Sequence, residues 1–172
     1  MKEKLSGCLL QQIRGYIDAH YVELPSQAAM VCESRAAVER YRCPQKALSL
    51  EDMLKQEDAG FSETLLRLID RSGKKDAEVY KKANLSKQHF SKIRNNPNYK
   101  PTKPTAIALA LALELSMEET KDLIGRAGYA LTNSSKFDVI VRFFIESGNY
   151  NMMDINTALF EFDQTLLGSQ TS

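Results

Sequence analysis

Glu78-Val79-Tyr80-Lys81-Lys82-Ala83-Asn84-Leu85-Ser86-Lys87-Gln88-His89-Phe90-Ser91-Lys92-Ile93 is the stretch whose reading decides the fold. Val79 and Ala83, four apart, give a first short helix an inward face, and Phe90 and Ile93, three apart, anchor a second from the same side. Leu85 plugs the turn between them. Asn84 falls where the chain must turn tightly, and Asn tolerates a left-handed backbone better than most residues other than Gly. Ser86 is placed to cap the second helix, its hydroxyl answering an orphan amide of the first turn. Left outward on that helix are Lys87, Gln88, His89, Ser91, Lys92 and Arg94, a face able to meet a nucleic-acid groove.

Upstream, Ser62 is placed to cap a helix that runs to about Ser72 with Phe61, Leu65, Leu68 and Ile69 on one face, and Gly73 stops it. Downstream, Asn95-Asn96-Pro97-Asn98-Tyr99-Lys100-Pro101 reads as a polar loop, because its two prolines prevent helix. Its amides are able to contact phosphates or base edges, and its plain alternative is an ordinary connection. From Thr105 to Leu115 Ala alternates with Ile and Leu, a pattern that superficially fits a strand. Ala is the best helix former and is depleted in strands, so a buried helix is predicted, with Thr102 as its cap. Ser116-Met117-Glu118-Glu119 is a capping box; the helix it opens carries Leu123 and Ile124 and runs out at Gly128.

These residues together resemble the phage-repressor-like, or XRE-type, helix-turn-helix family. The likeness extends past the pair to Pro101-Thr102, Ile107, Leu109, Ala110, Leu113 and Leu115, which resemble that family's fourth helix, and it covers about residues 61 to 130. Tyr80 stands where the family usually has a small Ala, and Asn84 where it usually has Gly. Tyr80 needs room, which implies a wider crossing of the two helices. The resemblance implies an all-α, repressor-like five-helix domain that reads double-stranded DNA and dimerises on paired half-sites.

Around that domain the chain divides into 1–22, an N-terminal amphipathic helix; 23–60, a linker with partial helix; 61–131, the helix-turn-helix domain; and 132–172, a C-terminal helical extension. Leu5, Leu9, Ile13, Tyr16 and Ile17 recur at helical spacing between Lys4 and about Tyr21. Such a one-sided helix is unstable alone and must pack on the rest of the chain, a second copy or another domain. In the linker short helices are expected around Gln27 to Glu39 and, after Ser49, around Leu50 to Gln56. The extension adds two helices. One runs from about Ser135 to Glu146; the other follows a cap at Asp154 and carries Ile155, Leu159, Phe162, Leu166 and Leu167. They either complete the monomer's core or make a dimer surface.

A second resemblance spans nearly the whole chain. The N-terminal Ile17-Asp18-Ala19-His20-Tyr21-Val22, the linker, the helical block and Ser134-Ser135-Lys136-Phe137-Asp138 look like the C-terminal extension of a group of bacterial proteins whose front half is an ADP-ribose-binding macrodomain. The macrodomain's glycine-rich phosphate loops have no counterpart here, so ADP-ribose binding is not carried over.

The net charge is only +1, yet between Arg71 and Lys103 ten basic residues face two acidic ones, a local +8. The positive field is concentrated on the candidate motif, as phosphate contact requires, although Lys81 and Lys82 also fit a merely solvated helix face. Three Cys, namely Cys8, Cys32 and Cys43, form no C-x-x-C pair and read as reduced thiols of a cytoplasmic protein. No apolar run approaches a membrane span, so a cytoplasmic location without membrane contact is expected. His20 and His89 are the only imidazoles, and no phosphate loop, dinucleotide fingerprint, H-E-x-x-H or G-x-S-x-G occurs. The sequence therefore reads as a non-enzyme with no cofactor or metal.

Its expected role is sequence-specific double-stranded DNA binding, as a transcriptional regulator. Lys87, Gln88, His89 and Ser91 are assigned to the major groove, and Lys74, Lys75, Lys92, Arg94, Asn95 and Asn96 to phosphates. The rival reading is a protein-interaction module that keeps the helix-turn-helix scaffold and docks a protein partner through the N-terminal helix or the C-terminal helices; a third is an antitoxin or inhibitor that does both.

Overall fold

From Thr105 to Ala112 every residue is buried, since a helix of Ala alternating with Ile and Leu has no polar side to offer to water. The computed structural model describes residues 7–23 and 59–168, and among them the fold is all-α. In chain order the helices are α1 (Gly7–His20), α2 (Phe61–Ser72), α3 (Asp76–Lys82), α4 (Lys87–Asn95), α5 (Lys103–Ala112), α6 (Met117–Arg126), α7 (Lys136–Glu146) and α8 (Met152–Glu161). The expected start of the first helix at Lys4 and Leu5, the helices at Gln27 to Glu39 and Leu50 to Gln56, and Cys32 and Cys43 lie outside the described residues.

The buried α5 packs on α3 and α6, and α2 packs on α4 and α6. On the other flank, α7 joins α6, α8 and α1. The N-terminal helix thus finds its partner within the chain. Ile13 and Ile17 are buried, the Tyr16 ring meets Phe143 edge-on at 5.3 Å, and the Tyr16 hydroxyl donates to Glu146 at 2.5 Å. Burial, then the hydrogen bond to that carboxylate, pushes the Tyr16 phenol up to about 12. Beyond the helix, the Val22 amide donates to the Asn133 carbonyl at 2.9 Å.

Five helices end in one way. After α3, α5, α6, α7 and α8 comes a residue in the left-handed region: Asn84, Glu114, Gly128, Gly148 and Asp163. In each case its N–H and that of the next residue return to carbonyls of the last turn, as in Asn84 to Lys81 and Leu85 to Tyr80, or Glu114 to Leu111 and Leu115 to Ala110. This is the Schellman pattern, which satisfies carbonyls that a helix end would otherwise leave bare and reverses the chain within two residues. Leu85 and Leu115, just past two of these ends, are buried and so lock the reversal from below.

Three cap assignments need correction. Ser62 lies inside α2, whose N-cap is Gly60; the buried Ser62 hydroxyl instead donates to the Asn96 carbonyl at 3.0 Å. Thr102 does occupy the N-cap of α5, but its hydroxyl pairs with that of Thr105 at 2.9 Å rather than with an amide. The last helix starts earlier than expected, because Asn151 is the cap and accepts from the Met153 amide at 3.0 Å. Asp154 sits in the first turn and accepts from the Asn149 side chain. That helix also stops at Glu161, so Leu166 and Leu167 belong to a non-helical tail.

One buried charge ties the two flanks. Asp138, with no exposed side-chain surface, accepts from Lys103 Nζ at 2.7 Å and from the Thr132 amide at 2.9 Å and hydroxyl at 3.1 Å. Lys103 opens α5 and Asp138 stands in the first turn of α7, where the helix dipole also favours an anion. Removing one partner of a buried pair strands the other, at about 3–5 kcal/mol. Asp138→Ala is expected to lower stability by about 3 kcal/mol, the low end, since Lys103 can reach water. Urea unfolding followed by circular dichroism checks this, through a lower midpoint with an unchanged slope.

Candidate functional site

The outward face of α4 exists because its inward face is firmly seated. Phe90 and Ile93 are buried, the Ser86 hydroxyl accepts from the His89 amide at 3.2 Å, and the Ser62 hydroxyl fixes Asn96 just past the helix end. The Tyr80 ring is half-buried and lies against Phe90, with ring centroids 5.8 Å apart, so its bulk is taken up at the rim of the helix pair. What remains turned to water on α4 is Lys87, Gln88, Ser91, Lys92, Arg94 and Asn95.

The cations named from sequence separate into two groups. Arg94 pairs with Asp76 and so braces α4 against the start of α3. Lys74 places its ammonium 3.3 Å from the Ala112 carbonyl and 3.3 Å from the Glu114 carboxylate, capping the end of α5, and Lys82 pairs with the same carboxylate. Lys75, Lys87 and Lys92 are exposed and enter no ion pair among the described residues. The acids that hold Arg94 and Lys74, Asp76 at the start of α3 and Glu114 just past α5, come from other parts of the chain, which is why the sequence did not disclose the pairing.

Ser91, Lys92, Asn95 and Asn96 come together with Tyr99 around an open depression of about 400 Å³. Within it the Asn95 amide donates to Ser91 Oγ at 3.2 Å, and the Asn96 side chain accepts from the Asn98 amide at 3.1 Å. His89, assigned to the groove face, is half-buried instead. Its Nε2 lies 3.0 Å from the Tyr99 hydroxyl, and the two rings meet edge-on at 6.0 Å. Tyr99 was missed as a site residue, although one aromatic in a loop of Asn and Pro was the available signal. Chemically the depression offers hydroxyl and amide groups beside one ammonium, a set suited to anionic or hydrogen-bonding ligands.

The tail reaches the turn that aims α4. Asn156 clasps Leu167 by accepting from its amide at 2.8 Å and donating to its carbonyl at 3.1 Å. Gly168 then lies so close to the turn that an added methyl would collide with the Ala83 carbonyl and stand 2.6 Å from Asn84 Cβ. Lys87 and Lys92 are exposed.

No protein-family model matches the chain, and neither a curated protein nor a solved structure matches it. Among the described residues no group of three or more His, Cys, Asp or Glu is placed to hold a metal ion, and no helix is long and apolar enough to cross a membrane.

Hydrogen bonds from Lys82 and then Lys74 hold the Glu114 carboxyl below its usual value of 4.5, and Arg71 does the same for Glu119. Both folded-state values lie below the unfolded ones, so each pair stabilises fully above about pH 4.5 and loses its contribution as pH falls through the depressed values. Glu114 is about half exposed, and solvent screening keeps its share below ~1 kcal/mol. Glu114→Gln is expected to flatten the acid limb of a stability-against-pH curve below pH 4.5 and to leave neutral stability within about 1 kcal/mol, as denaturant titrations at stepped pH would register.

Proposed function

We propose that the chain binds double-stranded DNA in a sequence-specific way and acts as a transcriptional regulator in the cytoplasm, with the α3–α4 pair serving as a repressor-like helix-turn-helix. The observation that carries this reading is the polar face of α4, where Lys87, Gln88, Ser91 and Lys92 stand exposed on a helix anchored by Phe90 and Ile93. In this reading Lys87 reads guanine and Gln88 adenine edges in the major groove. Lys92, Asn95 and Asn96 take phosphates around the depression beside Tyr99, and Lys75, at the start of α3, takes another. His89, turned toward Tyr99, acts by fixing the loop rather than by reading a base. Arg94 and Lys74 contribute after exchanging a partly exposed carboxylate for a phosphate, an exchange that is cheap because solvent-screened surface pairs contribute at most about 1 kcal/mol. A dimer on half-sites one turn apart would multiply the affinity of one such face.

Random-site selection on duplex DNA, followed by mobility shift across a salt series, tests the proposal. A steep fall of log affinity with log salt is expected, and Lys92→Ala should shed about one unit of that slope while lowering affinity evenly across sequences. Gln88→Ala and Lys87→Ala should relax the selected sequence at one position each, losing about 1–3 kcal/mol of discrimination. A flat salt response, or variants that select the parent's sites unchanged, would remove the basis for the reading.

A further inference from the structure

Of the three large hydrophobic side chains exposed among the described residues, Val22, Met153 and Phe160, two stand on α8, at 63% and 65% exposure. Seven residues apart on a helix, Met153 and Phe160 share one face about 10 Å apart along the axis, with Thr157 between them. At about 100° per residue, Asp154 and Glu161 fall together on one side of this ridge. On its other side Asn156 is occupied in clasping Leu167. Scattered surface hydrophobes need no explanation, but an aligned pair beside two carboxylates is a pattern.

The charge of the region decides what can cover it. From Phe143 to Ser172 the chain carries four acidic residues and no Lys or Arg. Asp154 and Glu161 are the only charges that α8 itself carries, and they disfavour anionic lipid and nucleic acid at its outer face. A second copy pairing antiparallel through α8 would set the ridges together but bring the carboxylates of both copies to the same side, with no cation from α8 to neutralise them. We infer that the outer face of α8 docks a basic amphipathic helix from a protein partner. Apolar side chains spaced i, i+3 or i+4, and i+7 on the partner cover Met153 and Phe160, and a row of Lys or Arg meets Asp154 and Glu161. This inference is independent of DNA binding, since α8 bears none of the residues assigned to DNA.

The probe is a synthetic amphipathic helix of Leu and Lys, with a Leu and Glu counterpart, titrated into the isotope-labelled full chain. Expected are shifts centred on Met153, Thr157 and Phe160 with the Leu/Lys peptide and none with the Leu/Glu one. Phe160→Ser, a change at an exposed site that leaves the core intact, should weaken binding about tenfold, and Glu161→Lys about fivefold. Shifts centred elsewhere, equal affinity of the parent and Phe160→Ser, or a sedimenting dimer that Phe160→Ser dissociates would overturn the inference.

Discussion

Enclosing α5 on all sides obliges every neighbour to supply what that helix cannot take from water. Ile107, Leu109 and Leu111 are fully buried, and each such side chain contributes about 1.5–3 kcal/mol. Ordering the backbone costs about 1–2 kcal/mol per residue, so the helix persists only because the surrounding helices close over it. Its polar ends are met one by one. Lys103, at the start, reaches into the fold to Asp138; at the end the Lys74 ammonium takes the Ala112 carbonyl, and the Tyr150 hydroxyl donates to the Leu115 carbonyl at 3.1 Å. Through these contacts α7 and the connections that lead into α3 and α8 are fixed to the same buried rod, and α4 packs in turn on α2 and α3.

Much of the fold was legible because periodicity and local chemistry agree. Val79, Ala83, Leu85, Phe90 and Ile93 are all buried, as their spacing required, and Ser86 and Ser116 cap as their neighbours allowed. Asn84 adopts φ 54°, the left-handed conformation expected of Asn in a tight turn. Where reading failed, a distant contact had outcompeted a local one. Ser62 was a plausible cap until the Asn96 carbonyl, far along the chain, claimed its hydroxyl in a buried setting. Glu114 was unreadable for another reason. An acid at a helix C-terminus in the left-handed region is disfavoured both by strain and by the dipole, and two lysines from elsewhere in the chain, Lys74 before α3 and Lys82 at its end, offset this.

The same logic separates charge from available charge. The local excess of +8 between Arg71 and Lys103 was plain in the sequence, but Arg71, Lys74, Lys82, Arg94 and Lys103 each turn out to face a carboxylate. Only the Lys103 pair has a fully buried partner; the others are half-exposed to exposed and contribute little in water. The surface therefore carries a fixed set of unpaired lysines on and around α4 and a reserve of weakly held cations beside it. No composition-based reading could draw that line, because it depends on which helices lie next to which.

The tail gives the turn before α4 a third constraint. Schellman bonds close the turn from within, and buried Leu85 holds it from the core. Gly168 lies against its outer side, at φ 69°, in a space that the Ala83 carbonyl and Asn84 leave too small for any Cβ. A side chain at Gly168 would have to push the tail off or tilt the turn, and either movement changes where α4 points. Asn156 makes the first outcome costly, since its amide grips Leu167 by both backbone groups and Leu167 is itself buried. The turn before α4 is thus constrained by Leu167 and Gly168 as well as by its own bonds. For this reason the C-terminal helices belong to the α4 surface as structural parts, whatever that surface meets.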